Sequence, residues 1–249
     1  MMFQVNGLKD HSKTLIYTRK LIMSDSKATK EPQYNLLFDV AKKHGISKFG
    51  LMANESWNQD PKRTLFTLAR YKFVAKLLTD TEKVLEVGCA DAFGTRLVQQ
   101  VVRDLTAIDF DPIFIEDIIS RFDINWPMKC FQHDMLESPV PGTFNAIYSL
   151  DVLEHIAPED EDLFVSNILK SLEDQGVLII GMPSLESQVY ASPQSKEGHV
   201  NCKSGADLKK FMRNFFHTVF LFSMNDEVIH TGFSPMAHYL LAVCVSKKS

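Results

Sequence analysis

The sequence predicts an α/β protein built on a doubly wound, mostly parallel sheet. Three observations carry this. Apolar strand-like runs alternate with amphipathic helical stretches from about residue 79 onward, a pattern that implies parallel strands joined by right-handed helical crossovers. Val84-Leu85-Glu86-Val87 runs into a turn of small residues, Gly88-Cys89-Ala90-Asp91-Ala92-Phe93-Gly94, and then into a helix. One strand–helix–strand step later, Leu105-Thr106-Ala107-Ile108 ends on Asp109. That is the layout of a nucleoside site at the carboxyl edge of a parallel sheet.

The elements follow in order. Residues 1–30 are polar and weakly patterned, and read as a flexible leader in which either Met1 or Met23 can start translation. Residues 31–78 read as an N-terminal helical cap. Within it, 34–48 sets Leu36, Leu37, Val40 and Ala41 on one helical face, with Gly45 as a stop signal. Residues 54–61 read as a loop, where Trp57 is either a lid or the plug of a satellite core. Pro61 opens a long helix whose buried stripe is Leu65, Leu68, Ala69, Phe73, Val74 and Leu77.

Residues 79–249 form the sheet domain. Strands are expected at 84–87, 105–109, 128–133, 144–150, 177–181, 218–222 and 238–245. Helices are expected at 94–102, 112–122, 159–172 and 204–216, the last capped by Ser204. The strand 177–181 is almost wholly apolar, as a central parallel strand should be. No helix separates the last two strands, so the final one is antiparallel. The sheet is therefore seven-stranded.

Bulk composition narrows the function. With 249 residues, 45% of them apolar, the chain can bury a sizeable core. A formal net charge of −4 gives no global basic field, so nucleic acid is not an expected partner. No apolar run approaches the roughly 20 residues that span a bilayer. The apolar piece Leu15-Ile16-Tyr17 is too short for a signal peptide. The expected setting is cytoplasmic, without a membrane. The 4 cysteines, Cys89, Cys130, Cys202 and Cys244, include no CxxC pair. They read as small hydrophobes in a reducing compartment, with no structural zinc site and no metal ligand set expected.

Gly88 permits a tight strand-to-helix turn, and Ala90 and Ala92 keep bulk away from a ligand. Asp109 can accept both hydroxyls of a ribose, or serve as a cap. His133-Asp134-Met135 ends the third strand, where Asp134 can meet an adenine amino group or simply close a turn. The G-x-G-x-x-G pattern is not met, which makes a nicotinamide dinucleotide a poor second choice.

Val84-Leu85-Glu86-Val87-Gly88-Cys89 resembles the first motif of class I S-adenosylmethionine-dependent methyltransferases. The segment 144–156, with its Asp151-Val152-Leu153-Glu154-His155-Ile156, resembles their fourth-strand motif, and Gly176-Val177-Leu178-Ile179-Ile180 their fifth strand. The resemblance covers about 75–245 and implies a Rossmann-like fold with S-adenosyl-L-methionine as cofactor and S-adenosyl-L-homocysteine as product. It implies that Glu86 and the backbone of Gly88, Cys89 and Ala90 surround the methionine part. Asp109 would hold the ribose, with Phe110 beside the adenine and Asp134 and Met135 at its edge. Asp151 would lie near the amino group or the reacting methyl. The family usually has glycines where Ala90 and Ala92 stand. On the preceding helix, Arg70 can pair with the cofactor carboxylate and Tyr71 can cover the site, or both lie on a solvated face.

Methyl transfer is an in-line displacement in which the protein mainly aligns the nucleophile and excludes water. A base is needed only for a hydroxyl or a protonated amine. His199, at the end of the polar insert 184–203, is the preferred base, with helix capping or a backbone contact as its alternative. Asp151 and His155 follow the fourth strand and are further candidates; His155 can equally be structural. The stretch 225–232 exceeds a tight hairpin, and its Glu227 and His230 can reach an acceptor, make a homodimer contact, or lie in a solvated loop. The expected function is methyl transfer to oxygen or nitrogen of a small molecule, such as a sugar or natural-product precursor. The Asn-Pro-Pro-Tyr sequence that similar enzymes place after the fourth strand is absent. The alternatives are a non-catalytic methyltransferase-like partner subunit and an aminopropyl transferase. The latter needs more acidic residues than the Glu186 and Glu197 of the insert.

Overall fold

The computed structural model describes residues 29–248 except 122 and 124. The expected leader 1–30 thus falls almost entirely outside the described residues, as does position 122, the expected end of a helix. Contacts divide the described residues into two compact units, with the division between Lys48 and Phe49.

In the first unit, a 3-10 turn over Pro32–Asn35 leads into α1 (Leu36–His44). Gly45, at φ 74°, ends the helix as its stop signal predicts. The apolar face of Leu36, Leu37 and Val40 is exposed rather than buried.

The second unit opens with α2 (Leu51–Gln59), where the sequence suggested a loop. The helix has no side-chain cap at Gly50. Its early N–H groups are satisfied from afar instead: Leu51 N donates to Asp117 Oδ2 at 3.2 Å and Ala53 N to Asp91 Oδ2 at 2.7 Å. Acceptors that distant in sequence leave no local start signal to read. Next comes α3 (Pro61–Leu77), with Pro61 in its first turn and Asp60 accepting from Lys62 N. Its buried residues are Thr64, Tyr71, Val74 and Ala75, whereas Leu65 and Leu77 are exposed. The helix is turned away from the predicted leucine stripe so that Tyr71 points inward to a buried carboxylate.

The strands are β1 (Lys83–Val87), β2 (Asp104–Asp109), β3 (Lys129–Gln132), β4 (Phe144–Leu150), β5 (Leu172–Pro183), β6 (Phe216–Asn225), β7 (Val228–His230) and β8 (Tyr239–Lys247). Between them lie α4 (Thr95–Gln99), α5 (Pro112–Ser120), α6 (Glu161–Ser171), α7 (Pro193–Gly198) and α8 (Gly205–Met212). Ser204 caps α8 by accepting from Asp207 N, as predicted. The sheet order is β3-β2-β1-β4-β5-β8-β6-β7. The first five strands pair in parallel and the last three antiparallel. Apolar side chains pack on both faces of the sheet.

Among the described residues the sheet has eight strands, not seven. The extra one is β7, in the stretch that looked too long for a tight hairpin. Asn225 pairs with Val228, so Asp226 and Glu227 alone make the turn, with Asp226 at φ 49°. The doubly wound class holds. Strand order reverses beside β1, which is flanked by β2 and β4, and ligands of such sheets bind in the crevice at the carboxyl ends there.

Candidate active site

The turn after β1 is built by close backbone approach. Gly88 N and Cys89 N both donate to Ile108 O, at 2.9 and 3.0 Å. Ala90 N donates to Asp109 Oδ2 at 2.8 Å. Gly88, Ala90 and Ala92 all have positive φ, at 76°, 44° and 52°, so the two alanines adopt the left-handed conformation that glycine accepts more easily. A Cβ on Gly88 would lie 2.2 Å from Val152 Cγ2. The N–H groups of 88–90 are thus spent within the protein, and what this turn can offer a ligand is its carbonyls and its lack of bulk. Cys89 is buried, so it contributes backbone only.

Glu86 is not at the ligand surface as the resemblance implied. It is 1% exposed. Its carboxylate accepts from Tyr71 Oη at 2.7 Å and Tyr148 Oη at 2.8 Å. It is a buried support that ties α3 and β4 beneath the turn, and Tyr71 is its partner rather than a cover for the site. A Cβ on Gly94 would strike the Tyr71 ring at 2.2 Å, so the same tyrosine also packs against the end of the turn. Burial raises the Glu86 carboxyl to about 6, with the tyrosine hydroxyls opposing the rise. The folded state therefore holds this proton more tightly than the unfolded chain. Stability from the protonated form is complete below the ordinary glutamate range and is lost as pH rises through about 6, an effect of about 2 kcal/mol. Relative to wild type, Glu86→Gln should gain about 2 kcal/mol between about pH 4 and pH 7 in thermal melts. A stability difference that stays constant across that range would contradict this account of the carboxyl.

Asp109 closes β2 and is 5% exposed. One carboxylate oxygen accepts from Ala90 N, and the other accepts from Asp111 N at 3.0 Å. Each oxygen keeps acceptor capacity for a hydroxyl. Phe110, the next residue, is 67% exposed, a free ring face beside the crevice. Asp134 Oδ1 accepts from Leu136 N at 2.8 Å, so one oxygen is a turn closer and the other stays available. Met135 is buried in the core, and only its backbone can meet a ligand.

Arg70 does not lie on a solvated face. Its Nη1 donates to both Asp151 oxygens, at 2.8 and 2.7 Å, and its guanidinium stacks over the Tyr239 ring at 3.8 Å. Asp151 sits just past β4 at φ 58°, a strained position for a residue other than glycine. Its backbone N–H is held by Gly181 O at 2.9 Å.

Beyond Asp151, a 3-10 turn over Leu153–His155 faces the insert 184–203. The insert's ends are pinned by a bridge between Ser184 and Lys203. Inside it, a 3-10 turn over Glu186–Tyr190 precedes α7. His155 Nδ1 meets Gly198 O at 2.8 Å and His199 Nδ1 meets Gln188 Oε1 at 2.9 Å. The two imidazole rings stand 5.1 Å apart. Burial and the neighbouring His155 push the His199 imidazole below its ordinary range. Trp57 lies on α2, not in a loop, and packs on Phe49, which packs on Phe93 in the turn. His230 closes its own hairpin through Asn225 Oδ1 and Gly232 N.

Sequence reasoning missed Asp91 and Glu154. Asp91 fastens α2 to the turn through Ala53 N and also accepts from Phe93 N. Glu154 is 1% exposed, with neither carboxylate oxygen bonded. Acidic residues inside otherwise apolar or turn-like segments were the available signal for both.

A profile of the family described as "Methyltransferase domain" matches residues 58–216, most of the chain. The chain belongs to this methyltransferase family. Its first curated relatives include a probable S-adenosylmethionine-dependent methyltransferase of Mycobacterium tuberculosis. That protein is 28% identical over 102 residues, covering 41% of this chain and 35% of the relative. Another is a ubiquinone biosynthesis O-methyltransferase of Xanthomonas campestris, 26% identical over 120 residues, covering 45% and 49%. The chain thus spans less than half the length of these relatives. DhpI, solved with SAH, superposes with TM-score 0.59 at 13% identity, over 79% of this chain and 92% of DhpI. The N-methyltransferase NodS of Bradyrhizobium japonicum, solved with S-adenosyl-L-homocysteine, gives 0.55 at 19%, over 76% and 90%. At these identities the superpositions establish the class I methyltransferase fold. Both of these neighbours were solved with S-adenosyl-L-homocysteine, and the crevice of this chain offers a bulk-free turn, a buried carboxylate in Asp109 and an exposed ring in Phe110. Among the described residues, no helix is long and apolar enough to cross a membrane.

Proposed function

We propose that this chain transfers the methyl group of S-adenosyl-L-methionine to an oxygen or nitrogen of a small-molecule acceptor. The observation that carries the reading is the convergence of Asp151, His155 and His199 at the carboxyl edge of β4, under the pinned insert. The cofactor supplies a methyl on positively charged sulfur, already an excellent leaving group. The protein's work is then positional. The turn 88–92 and Asp109 hold the cofactor, with Phe110, Asp134 and the Met135 backbone around the adenine. Arg70 holds Asp151 and is the side chain best placed to share its charge with the methionine carboxylate. The imidazoles of His155 and His199 are where an acceptor hydroxyl or protonated amine loses its proton. The net charge of −4 supplies no field for a polyanionic acceptor. A sugar or natural-product precursor is the first acceptor class to screen.

The test is transfer of a labelled methyl group into separated cell-extract fractions. Label should appear in the small-molecule fraction in an enzyme-dependent way. Label confined to protein or RNA would contradict the acceptor class.

A further inference from the structure

We propose that Glu154, His155 and His199 bind a divalent transition-metal cation of the zinc class at the acceptor end of the crevice. The site itself stands on its own geometry; the use made of the cation rests on the reading of the acceptor side given above.

Each of the three residues offers a ligand atom, and these atoms lie within 4.8 Å of one another. Zinc bonds of about 2.1 Å set tetrahedral ligands about 3.4 Å apart, so binding draws the three side chains together by about an ångström. Side-chain torsions can supply that movement, and Glu154 has no hydrogen bond to break. Its carboxylate is almost wholly buried with both oxygens unpartnered. A buried carboxylate with no donor is costly unless it is neutralised or coordinated. The nearby cations are already committed: Arg70 to Asp151 at 2.7 Å and Lys203 to Glu161 at 2.7 Å.

The histidines are set as ligands. His155 Nδ1 faces the carbonyl of Gly198, which can only accept, so Nδ1 carries the proton and Nε2 the lone pair. For His199 the partner is Gln188 Oε1. The amide orientation is fixed because Gln188 Nε2 donates to Ser184 O at 3.1 Å and Ser187 Oγ at 3.3 Å. His199 Nδ1 is therefore also the donor. An Nδ1–H held by an oxygen with Nε2 left bare is how metal-bound histidines are oriented. The backbone joins the two halves of the site, since Asn201 N donates to Glu154 O at 3.0 Å.

Two imidazoles and one carboxylate select zinc, cobalt or a similar ion over magnesium, and three protein ligands leave a position open. With the cation bound the two imidazoles serve as ligands instead of taking the acceptor's proton themselves, and an acceptor hydroxyl in the open position loses its proton to solvent more readily. The oxygen can then take the methyl as the carbon–sulfur bond breaks and its electron pair stays on sulfur.

Chelator-treated full-length protein should be titrated with Zn2+ by calorimetry and with Co2+ by absorption, without acceptor. S-adenosyl-L-methionine affinity should be measured on the same samples. The expected result is one Zn2+ per chain and Co2+ bands of a four- or five-coordinate site. Glu154→Gln and His199→Ala should each weaken uptake at least about tenfold while cofactor affinity holds. No uptake by wild type, or uptake by both variants as tight as that of wild type, overturns the cation site. Cofactor binding without Zn2+ uptake overturns the cation alone and leaves the methyl-transfer reading intact. Zn2+ uptake lost in the variants, but without any cofactor binding, supports the cation site and contradicts that reading instead.

Discussion

Replacing His199 by alanine should lower turnover about a hundredfold and leave S-adenosyl-L-methionine affinity unchanged. His199 lies in the insert, with its ring on Gln188 and 5.1 Å from the His155 ring. Its hydrogen bond and its ring contact go to Gln188 and His155, whereas Asp109, Phe110 and the turn after β1 lie at β1 and β2, beyond β4 in the sheet order. The loss therefore falls on the acceptor's proton and position rather than on cofactor binding. The same loss follows if His199 works as a cation ligand, and the Zn2+ titration separates that case. Steady-state kinetics with the acceptor found by labelling is the check. Turnover within threefold of wild type would place the acceptor elsewhere.

Gly88→Ala should destabilise the domain by about 3 kcal/mol and weaken cofactor binding by more than tenfold. Two physical terms add. At φ 76° an alanine is left-handed, which costs about 1–2 kcal/mol. Its Cβ would lie 2.2 Å from Val152 Cγ2, and overpacking of this kind costs about 1–3 kcal/mol. For a domain of this size the melting point should fall by about 6–12 °C. Relief of the clash pushes on Val152 and so on Asp151, which is already at φ 58° and held by Arg70. Adding Val152→Ala should recover the packing part and not the backbone part. A Gly88→Ala protein that melts and binds like wild type would show that the turn is not the cradle described.

The parts of the site legible in the sequence are those whose signal is local. The Gly88 turn and the Ser204 cap each act within a few residues of their own strand end or helix start, and the structure uses them there. What could not be read depends on contacts across long stretches of chain. α2 starts on acceptors from Asp91 and Asp117, so no cap preceded it and it looked like a loop. Glu86 looked like a ligand residue because it stands next to the glycine turn. Its true partners, Tyr71 and Tyr148, come from a helix before it and a strand after it. That same pairing turns α3 so that Leu65 and Leu77 face out. The hairpin at Asp226-Glu227 was missed for a local reason: neither residue is glycine, yet Asp226 takes the positive φ. Glu154, His155 and His199 form a set only because Asn201 and Gly198 bond back across the insert to the turn after β4. Spacing along the chain gives no hint of that closure.

The most direct test of the account is a calorimetric titration of the purified protein with S-adenosyl-L-methionine and S-adenosyl-L-homocysteine, run beside Asp109→Ala. Asp109 braces Ala90 and Asp111 and offers the ribose its remaining acceptor capacity. Wild type should bind both ligands in the micromolar range, and Asp109→Ala should bind more than tenfold more weakly, a loss above about 1.4 kcal/mol. A folded wild-type protein that binds neither ligand, or a folded Asp109→Ala protein that binds both as wild type does, would contradict the cofactor crevice as drawn here.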